Sequence, residues 1–248
     1  MAINRVEFTY YGDLLGISNL YRLSSKIAYE KLNLYYNTTF RRFYEYCTMA
    51  NEVKVEMYSD NLMIWGKNPV EVLKHLSNIY VDILQEGLLL RGAMVKGELK
   101  FDPRLTLKNF SKQLPKDDTL ARAVGLEKTQ KGARLLIENT LAQELFREVP
   151  EWLTHDGYVK NVHKQPGEID VLRRICPTPD NNVYELLYFW EIGNRCSEYR
   201  NMRKELQEIM KMQGKEIGEH YKATIDLIDR CKYREQFTLK SLEANDAI

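Results

Sequence analysis

The sequence lacks the long apolar runs and the one-sided charge that mark two large classes of protein. No apolar run approaches the roughly 18–20 residues that a membrane span needs. The first residues, MAINRVEFTYYGD, lack the apolar stretch of a secretory signal peptide. The formal net charge is only +1, whereas proteins that coat nucleic acid or acidic membrane usually carry a basic excess. We therefore expect a cytoplasmic protein with neither nucleic acid nor a membrane as its partner.

Cysteine and histidine are scarce. The four cysteines are scattered with no C-x-x-C pair, and the four histidines do not cluster. This pattern argues against a zinc site and against a disulfide framework, so we expect reduced thiols. No Ser or Cys lies in a nucleophile-elbow sequence. A histidine-based catalytic site is therefore not expected.

The composition is that of a full-sized globular chain. Its 248 residues are 44% hydrophobic and 29% charged, and a chain of this length buries roughly 70–75% of its unfolded surface. The sequence contains no convincing linker, internal repeat or low-complexity tract. We interpret residues 1–150 as the core, and residues 151–248 as a C-terminal strand and long-helix elaboration of the same domain.

The first hundred residues carry strand and helix patterns in the order β-α-β-β-α-β. Strands are indicated by period-two alternation, and helices by apolar residues three and four positions apart. The predicted elements are a strand over Ile3–Tyr11, a helix over Leu20–Tyr46 with an irregularity near Asn33–Thr39, a hairpin of Glu52–Met57 and Leu62–Trp65, a helix over Val70–Glu86, and a strand over Leu88–Leu99. This order predicts an α+β fold with a ferredoxin-like βαββαβ core, an antiparallel sheet, and helices on one face.

The later segments extend this core. The predicted elements are a helix from Asp118 to about Gln130, a strand over Arg134–Ile137, a helix from about Asn139, a buried strand over Tyr184–Ile192, and a long helix from Cys196 to about Cys231. An apolar stripe follows this C-terminal helix at Leu206, Ile209, Met210, Ile217, Tyr221, Ile225 and Ile228. The stripe has two interpretations, a seam between two copies of the chain or packing on the chain's own sheet.

Two aspartates stand out by their positions. Asp13 lies at the end of the first strand, where the chain turns toward a helix, and Asp60 lies in the hairpin. Because strand one and the hairpin are central neighbours in a βαββαβ sheet, the two carboxylates should meet at one edge of the sheet. Paired carboxylates with a free carbonyl suit Mg²⁺ or Mn²⁺, and two such ions activate an attacking oxygen and stabilise a leaving phosphate. The alternative is that Asp13 caps a helix and Asp60 only forms a turn.

The segments that carry these aspartates resemble the metal motifs of a known family. FTYYGDLLGIS resembles the first metal motif of class III nucleotidyl cyclases, YSDNLMIW resembles the second, and RGAMVKGEL resembles their glycine-containing fourth strand. Together with a helix that bears Leu126 and Glu127, the combination is similar to the compact bacterial pyrimidine cyclases of the Pycsar anti-phage system. The resemblance covers residues 1–150, which we therefore interpret as a nucleotidyl cyclase-like catalytic core.

The resemblance implies an activity, a metal site and an assembly. It implies a homodimer that cyclises UTP or CTP to a 3′,5′-cyclic nucleotide and releases pyrophosphate. The product would be a second messenger for anti-phage defence, sensed by a separate effector. Two Mg²⁺ or Mn²⁺ ions would be held by Asp13, the Leu14 carbonyl and Asp60.

The resemblance also implies substrate contacts. Backbone N–H groups of Leu15, Gly16 and Ile17, at a turn that feeds a helix start, would bind phosphate oxygens. Glu56 occupies the position at which purine cyclases of this class carry a base-selecting lysine. Tyr58 should share its sheet face and make the pocket shallow enough for a one-ring base. The alternative for Tyr58 is simple packing in the sheet.

One departure from the family concerns the transition-state cation. Purine cyclases carry an Asn and an Arg four residues apart on the helix before the last core strand, at positions that fall here near Ala121 and Gly125. Arg91 of the fourth strand is a candidate phosphate ligand, with a structural ion pair as its alternative. Other local cations, each also explained as a surface charge, are Arg122, Lys128, Lys131 and Arg134.

The departures leave two other functions open. One is a catalytically silent domain of the same fold that binds a nucleotide or a partner. The other is a palm-type polymerase or cyclic-dinucleotide synthase, which shares the βαββαβ core and the two metals. The sequence has neither a GGDEF-type hairpin nor a basic template-binding extension, and both absences weaken this second alternative.

Overall fold

The structure is a computed structural model that describes residues 6–49, 52–102, 112–148, 172–174, 183–186, 188 and 196–229. Within these ranges, no helix is both long and apolar enough to cross a membrane. Residues 3–5 of the predicted first strand lie outside the described residues, as do parts of the predicted strand 184–192 and the last residues of the predicted helix 196–231.

One sheet of seven strands forms the centre of the described structure. The strands are β1 Glu7–Leu14, β2 Val53–Tyr58, β3 Asn61–Lys67, β4 Leu90–Lys96, β5 Leu135–Glu138, β6 Leu172–Arg174 and β7 Val183–Leu186. They lie in the order β2-β3-β1-β4-β5-β7-β6. The first four are antiparallel neighbours, as predicted for the βαββαβ core, whereas β5 pairs with β4 in parallel. The predicted α+β fold is confirmed, and the sheet is larger and more mixed than expected.

Seven helices surround the sheet in the described residues. They are α1 Ile17–Leu23, α2 Ser25–Met49, α3 Pro69–Gln85, α4 Thr119–Glu127, α5 Asn139–Glu148, α6 Cys196–Met212 and α7, residues 215–229. α3 matches its prediction because Pro69 fits the first helical position and Gly87, with φ of 72°, adopts the left-handed backbone that follows many helices.

Two predicted helices are divided in the structure. The helix expected from Leu20 is broken at Ser24, whose backbone is extended, and α2 then runs through Asn33–Thr39 without interruption. The predicted irregularity at Asn33–Thr39 was therefore wrong. The long C-terminal helix is broken near Gly214 into α6 and α7. Glycine costs about 1 kcal/mol in a helix interior relative to alanine, so a break there is inexpensive.

Helices cover both faces of the sheet. Tyr10 and Asp13 lie three residues apart on β1, so their side chains point to opposite faces. The Tyr10 hydroxyl lies 3.2 Å from that of Tyr80 in α3. Asp13 instead pairs with Arg91, which contacts Glu127 in α4. The two long core helices, α2 and α3, share the Tyr10 face as predicted, whereas α4, from beyond the core, covers part of the face that was expected to be free. The central strand β4 is buried at most positions on both faces, which requires packed helices on both sides of the sheet.

The C-terminal helices pack on the chain's own core. Leu206 of α6 and Tyr221, Ile225 and Ile228 of α7 are buried in the main hydrophobic cluster. Each large apolar side chain buried in this way contributes about 1.5–3 kcal/mol. Of the two interpretations of the apolar stripe, the structure supports packing within the chain. β6 and β7 also join the sheet of the first 150 residues.

Candidate active site

One cross-strand row carries three of the residues that the sequence singled out. In the register of the sheet, Tyr58 of β2 faces Asn61 of β3, Asn61 faces Asp13 of β1, and Asp13 faces Arg91 of β4. Residues that face one another across neighbouring strands point to the same side of the sheet, and neighbouring strands lie about 4.8 Å apart. The row therefore places Asp13 between Arg91 and Asn61, with Tyr58 roughly two strand spacings away.

Asp13 and Asp60 meet at the end of this row. Asp60 lies in the turn between β2 and β3, and its backbone carbonyl accepts a hydrogen bond of 3.0 Å from the Leu14 N–H. This bond fastens the turn to the end of β1. Burial raises the pKa of the Asp13 carboxyl, and the negative charge of Asp60 raises it further, against the opposing effect of Arg91. The two carboxylates are thus close enough to repel each other.

The donor set around Asp13 fits a divalent cation. Two carboxylates with a neighbouring backbone carbonyl are oxygen ligands of the kind that Mg²⁺ and Mn²⁺ prefer. Their mutual repulsion is the kind of strain that a bound cation relieves. No cluster of three or more His, Cys, Asp or Glu side chains suited to a metal occurs in the described part of the chain. The residues that could hold metal here are Asp13, Asp60 and, through its carbonyl, Leu14.

Arg91 joins this site to α4. Its Nη2 donates to Asp13 Oδ2 at 3.3 Å, and its Nε contacts a carboxylate oxygen of Glu127. The Arg91 side chain is 19% exposed and that of Glu127 is 1% exposed. Burial, aided by the Asp13 charge, raises the pKa of Glu127 to about 7 even though Arg91 opposes the shift. Arg91 thus forms an ion pair on a central strand, with one edge of its guanidinium toward Asp13.

Glu127 is the site residue that the sequence analysis missed. There, Glu127 was mentioned only together with Leu126, as part of the family resemblance. The buried positions of α4 are Thr119, Ala123 and Glu127, four residues apart. The four-residue spacing places Glu127 on the buried side of the helix, and this could have been noticed in the sequence. Charged residues are rarely buried unless they are paired, so such a glutamate is a candidate for a functional ion pair.

The turn after β1 contains the backbone N–H groups that were predicted to bind phosphate oxygens. The Leu15 N–H already donates to the Leu89 carbonyl at 2.8 Å, so Leu15 does not suit the predicted phosphate contact. Gly16 precedes α1 with φ of 86°, and no side chain caps the helix there. A Cβ on Gly16 would meet no atom within 4 Å, so its backbone conformation rather than space requires glycine. For Gly16 and Ile17, the role as phosphate-binding backbone donors stays a prediction.

Most of the other candidate cations are engaged elsewhere. Arg122, Lys131 and Arg134 form ion pairs with Glu138, Glu219 and Glu185 respectively. Lys128 is exposed, and its charge opposes the rise in the pKa of both Asp13 and Glu127. Of the candidate cations, Arg91 and Lys128 are those whose charges act on Asp13 and Glu127.

Glu56 and Tyr58 lie on the site face of the edge strand β2. Glu56 faces Met63 and Tyr58 faces Asn61 in the register. Glu56 Oε2 accepts a hydrogen bond of 3.0 Å from Gln113 Nε2, and the Tyr58 side chain is 78% exposed. Tyr58 therefore packs little against the described residues, which does not support the alternative of simple packing in the sheet, and its role in base binding stays a prediction.

The pKa of Glu127 predicts a specific dependence of stability on pH. Between its usual range near 4.5 and its folded value of about 7, the folded chain keeps a proton that the unfolded chain has lost. The contribution of Glu127 to stability is therefore greatest below pH 4.5 and is lost as pH rises to 7. Relative to Glu127→Gln, the free energy of unfolding of the wild type should fall by on the order of 2–3 kcal/mol between pH 5 and pH 8. Urea denaturation of both proteins in a chelator measures this difference, and a difference that stays constant with pH contradicts the assignment.

Comparisons with known proteins bear on the fold. Neither a protein-family model nor a curated protein matches the amino-acid sequence. Among solved structures, the adenylyl cyclase CyaB from P. aeruginosa superposes with a TM-score of 0.50 at 13% identity, over 75% of this chain and 96% of that one. The fold is that of a nucleotidyl cyclase domain. The guanylyl cyclase Cya2 has a TM-score of 0.49 at 11% identity, over 75% and 94% of the two chains. The guanylate cyclase domain of RhGC from Catenaria anguillulae, solved with GTP, has a TM-score of 0.48 at 14% identity, over 75% and 98%.

Proposed function

We propose that the chain is a metal-dependent nucleotidyl cyclase that converts a pyrimidine nucleoside triphosphate, UTP or CTP, to its 3′,5′-cyclic nucleotide and pyrophosphate. The observation that carries the proposal is the meeting of Asp13 and Asp60 at one sheet edge, beside Arg91, in a fold shared with an adenylyl cyclase. In this proposal Asp13, Asp60 and the Leu14 carbonyl hold two Mg²⁺ or Mn²⁺ ions.

The reaction is an intramolecular displacement at phosphorus. The ribose 3′-oxygen forms a bond to the α-phosphorus, the bond from that phosphorus to the bridging oxygen breaks, and pyrophosphate leaves with the bonding pair. Bound divalent cations would supply acidity to the 3′-hydroxyl and neutralise the triphosphate. Asp13 and Asp60 supply the anionic ligands that fix those charges at the sheet edge.

The chain's own donors orient the triphosphate in this proposal. The N–H groups of Gly16 and Ile17, at the start of α1, would donate to phosphate oxygens. Arg91 lies on the opposite side of Asp13 from the hairpin. Its guanidinium provides fixed positive charge where negative charge builds on the phosphate oxygens, the role that purine cyclases give to an arginine of the helix before the last core strand.

Tyr58 and Glu56 are proposed to choose the base. Both share the face of Asp13 and lie about two strands from it. A pyrimidine has one ring fewer than a purine, so a tyrosine ring can fill the missing depth and its hydroxyl can hydrogen-bond the base edge. Glu56 would accept a hydrogen bond from a base N–H in exchange for its bond to Gln113.

Replacing Tyr58 should therefore alter base preference. We expect Tyr58→Ala to lose or relax the preference for UTP or CTP over ATP and GTP, with folding unaffected because the side chain is already exposed. Turnover of all four nucleotides by the variant and the wild type measures the effect. Tyr29→Ala is a control, since Tyr29 is also an exposed tyrosine, at 66%, but lies on α2. An unchanged preference in Tyr58→Ala, or a wild type that prefers ATP, contradicts this assignment.

We further propose that the chain acts as a two-fold homodimer with both active sites at the interface. α4 covers only part of the sheet face that carries Asp13. The support for a dimer comes from the part of that face that remains exposed, around Tyr58. Tyr58 stands 78% exposed at the edge of the proposed base pocket, and a pocket needs a second wall there. A second copy of the chain supplies that wall in a head-to-tail arrangement.

Complementation between inactive chains tests the dimer. Mixing Asp60→Asn chains with chains damaged in the half of the site that the partner supplies puts both defects in one shared site. The other site of each heterodimer is then intact, so activity should return. Sedimentation at micromolar concentration should show a dimer. A fully active monomer contradicts this part of the proposal.

The biological role follows from the family resemblance. The cyclic pyrimidine nucleotide would be a second messenger for anti-phage defence, and a separate effector would sense it.

Product analysis tests the proposed reaction. The pure protein is incubated with each of the four nucleoside triphosphates and Mn²⁺, and the products are identified by mass. A cyclic mononucleotide and pyrophosphate support the proposal. Binding without turnover indicates a silent nucleotide-binding domain instead, and a dinucleotide indicates a synthase or polymerase activity.

A further inference from the structure

Glu127 is an unusual residue for a packed helix–sheet contact. It ends α4 with a side chain that is only 1% exposed. Neither carboxylate oxygen has a hydrogen-bond partner among the described residues. Its ion-pair partner in that part of the chain is Arg91, through Nε. Among the described residues, Arg91 is therefore the direct ion-pair partner of Glu127, and the exposed Lys128 adds a weaker favourable charge.

Packing alone does not account for a glutamate at this position. The penalty for burying a charged group is several kcal/mol, and an apolar residue of similar size is often as stable or more stable there. The buried residues one and two turns earlier on α4, Ala123 and Thr119, are small and uncharged. The glutamate costs stability that an apolar side chain would not, which points to a functional reason.

Arg91 contacts two acidic residues, Asp13 and Glu127, and only Asp13 is a proposed metal ligand. Its Nη2 donates to Asp13 at 3.3 Å, and Asp13 is also a proposed metal ligand. Its Nε contacts Glu127, which has no place in the metal ligand set. Asp13 cannot hold Arg91 fully while its oxygens also bind a cation. Glu127 can hold Arg91 throughout, because Glu127 is not one of the proposed metal ligands.

We propose that Glu127 is a positioning residue that fixes Arg91 by its Nε, so that the two Nη groups face the phosphates of the substrate. The inference rests on the proposed cyclase function. It assigns α4 a role different from that in purine cyclases, since here the helix contributes an acid that holds an arginine of strand β4. The guanidinium is planar and rigid, so fixing one edge sets the direction of the other.

A double-mutant cycle tests this coupling at pH 8. Arg91→Ala should lower kcat on the order of 10²-fold, as expected for loss of one charge-stabilising group. Glu127→Gln keeps the shape and removes the charge, and should lower kcat about tenfold with a smaller rise in KM. The double variant should be no slower than Arg91→Ala alone, because Glu127 acts only through Arg91. Additive losses, or an unchanged kcat in Glu127→Gln, overturn the inference.

A matched control separates positioning from general loss of an ion pair. Glu138→Gln breaks the ion pair between Glu138 and Arg122 of α4, which lies outside the proposed site, and should leave kcat within about twofold. If Glu127→Gln fails to fold, Glu127→Asp replaces it. The aspartate is one methylene shorter, so the same loss of kcat and the same non-additivity with Arg91→Ala are expected.

Nucleotide binding distinguishes failure of this inference from failure of the proposed function. Affinity for Mn²⁺ with a non-hydrolysable UTP analogue is measured by calorimetry for the wild type, both single variants and the double variant. A wild type that forms no cyclic product refutes the cyclase function, and the inference is then judged on binding. Weaker binding in Glu127→Gln that disappears in the Arg91→Ala background supports it, while equal binding in all variants, or no binding at all, overturns it.

Discussion

Asp13→Asn or Asp60→Asn is expected to reduce turnover by on the order of 10²-fold or more, while the chain stays folded. Each change removes one anionic oxygen from the site and keeps the size of the side chain. Asp13 lies on a buried strand, but burial and the Asp60 charge already disfavour its ionised form. A neutral amide is therefore tolerated there by the fold. Steady-state rates with Mn²⁺, together with circular dichroism, measure both effects.

A control for these variants is Asp82→Asn. Asp82 forms an ion pair with Arg42 at 2.7 Å, between α3 and α2 and away from the sheet edge, so its loss should leave turnover unchanged. Near-full activity in either site variant with Mn²⁺ would show that the two aspartates do not hold the metals.

Gly92→Ala is expected to lower the free energy of unfolding by about 2–3 kcal/mol. Gly92 faces Gly12 across β1 and β4, and the ring of Tyr10 lies over both. A Cβ on Gly92 would stand 2.4 Å from the Tyr10 hydroxyl oxygen and 2.6 Å from a ring carbon. Tyr10 is fully buried and its hydroxyl bonds that of Tyr80, so the ring has no free space to enter. Because Gly92 follows Arg91, activity should also fall.

Gly125→Ala is the matched control for this change. Gly125 lies in α4 with no atom within 4 Å of an added Cβ. Alanine there should stabilise the chain by about 0.5–1 kcal/mol, since glycine weakens a helix interior. Urea denaturation of the two variants gives both values. If Gly92→Ala proves as stable as the wild type, the close approach of Tyr10 does not constrain β4.

The order of elements in the core could be predicted because local signals agree with it. The alternation in β1 to β3 and the Pro69 start of α3 are properties of short sequence windows. The break at Ser24 had no such signal, since serine is neither a strong helix breaker nor a turn marker by itself. The parallel pairing of β5 with β4 depends on contacts distant in sequence, which periodicity does not contain.

The site was partly predictable for the same reason. Topology alone brings the end of β1 next to the β2–β3 turn, so Asp13 and Asp60 could be placed together from their positions in the order of elements. The coupling of Arg91 to Glu127 could not, because it depends on α4 crossing the second face of the sheet. The bond from Leu15 to Leu89 likewise needs the register between β1 and β4.

The most direct test of the central claim is a crystal structure with Mn²⁺ and a non-hydrolysable pyrimidine triphosphate analogue. Anomalous scattering locates the manganese independently of the protein chain. We expect manganese about 2.0–2.3 Å from carboxylate oxygens of Asp13 and Asp60 and from the Leu14 carbonyl, with the triphosphate beside Arg91. Manganese bound away from Asp13 and Asp60, with the nucleotide elsewhere on the chain, would contradict it.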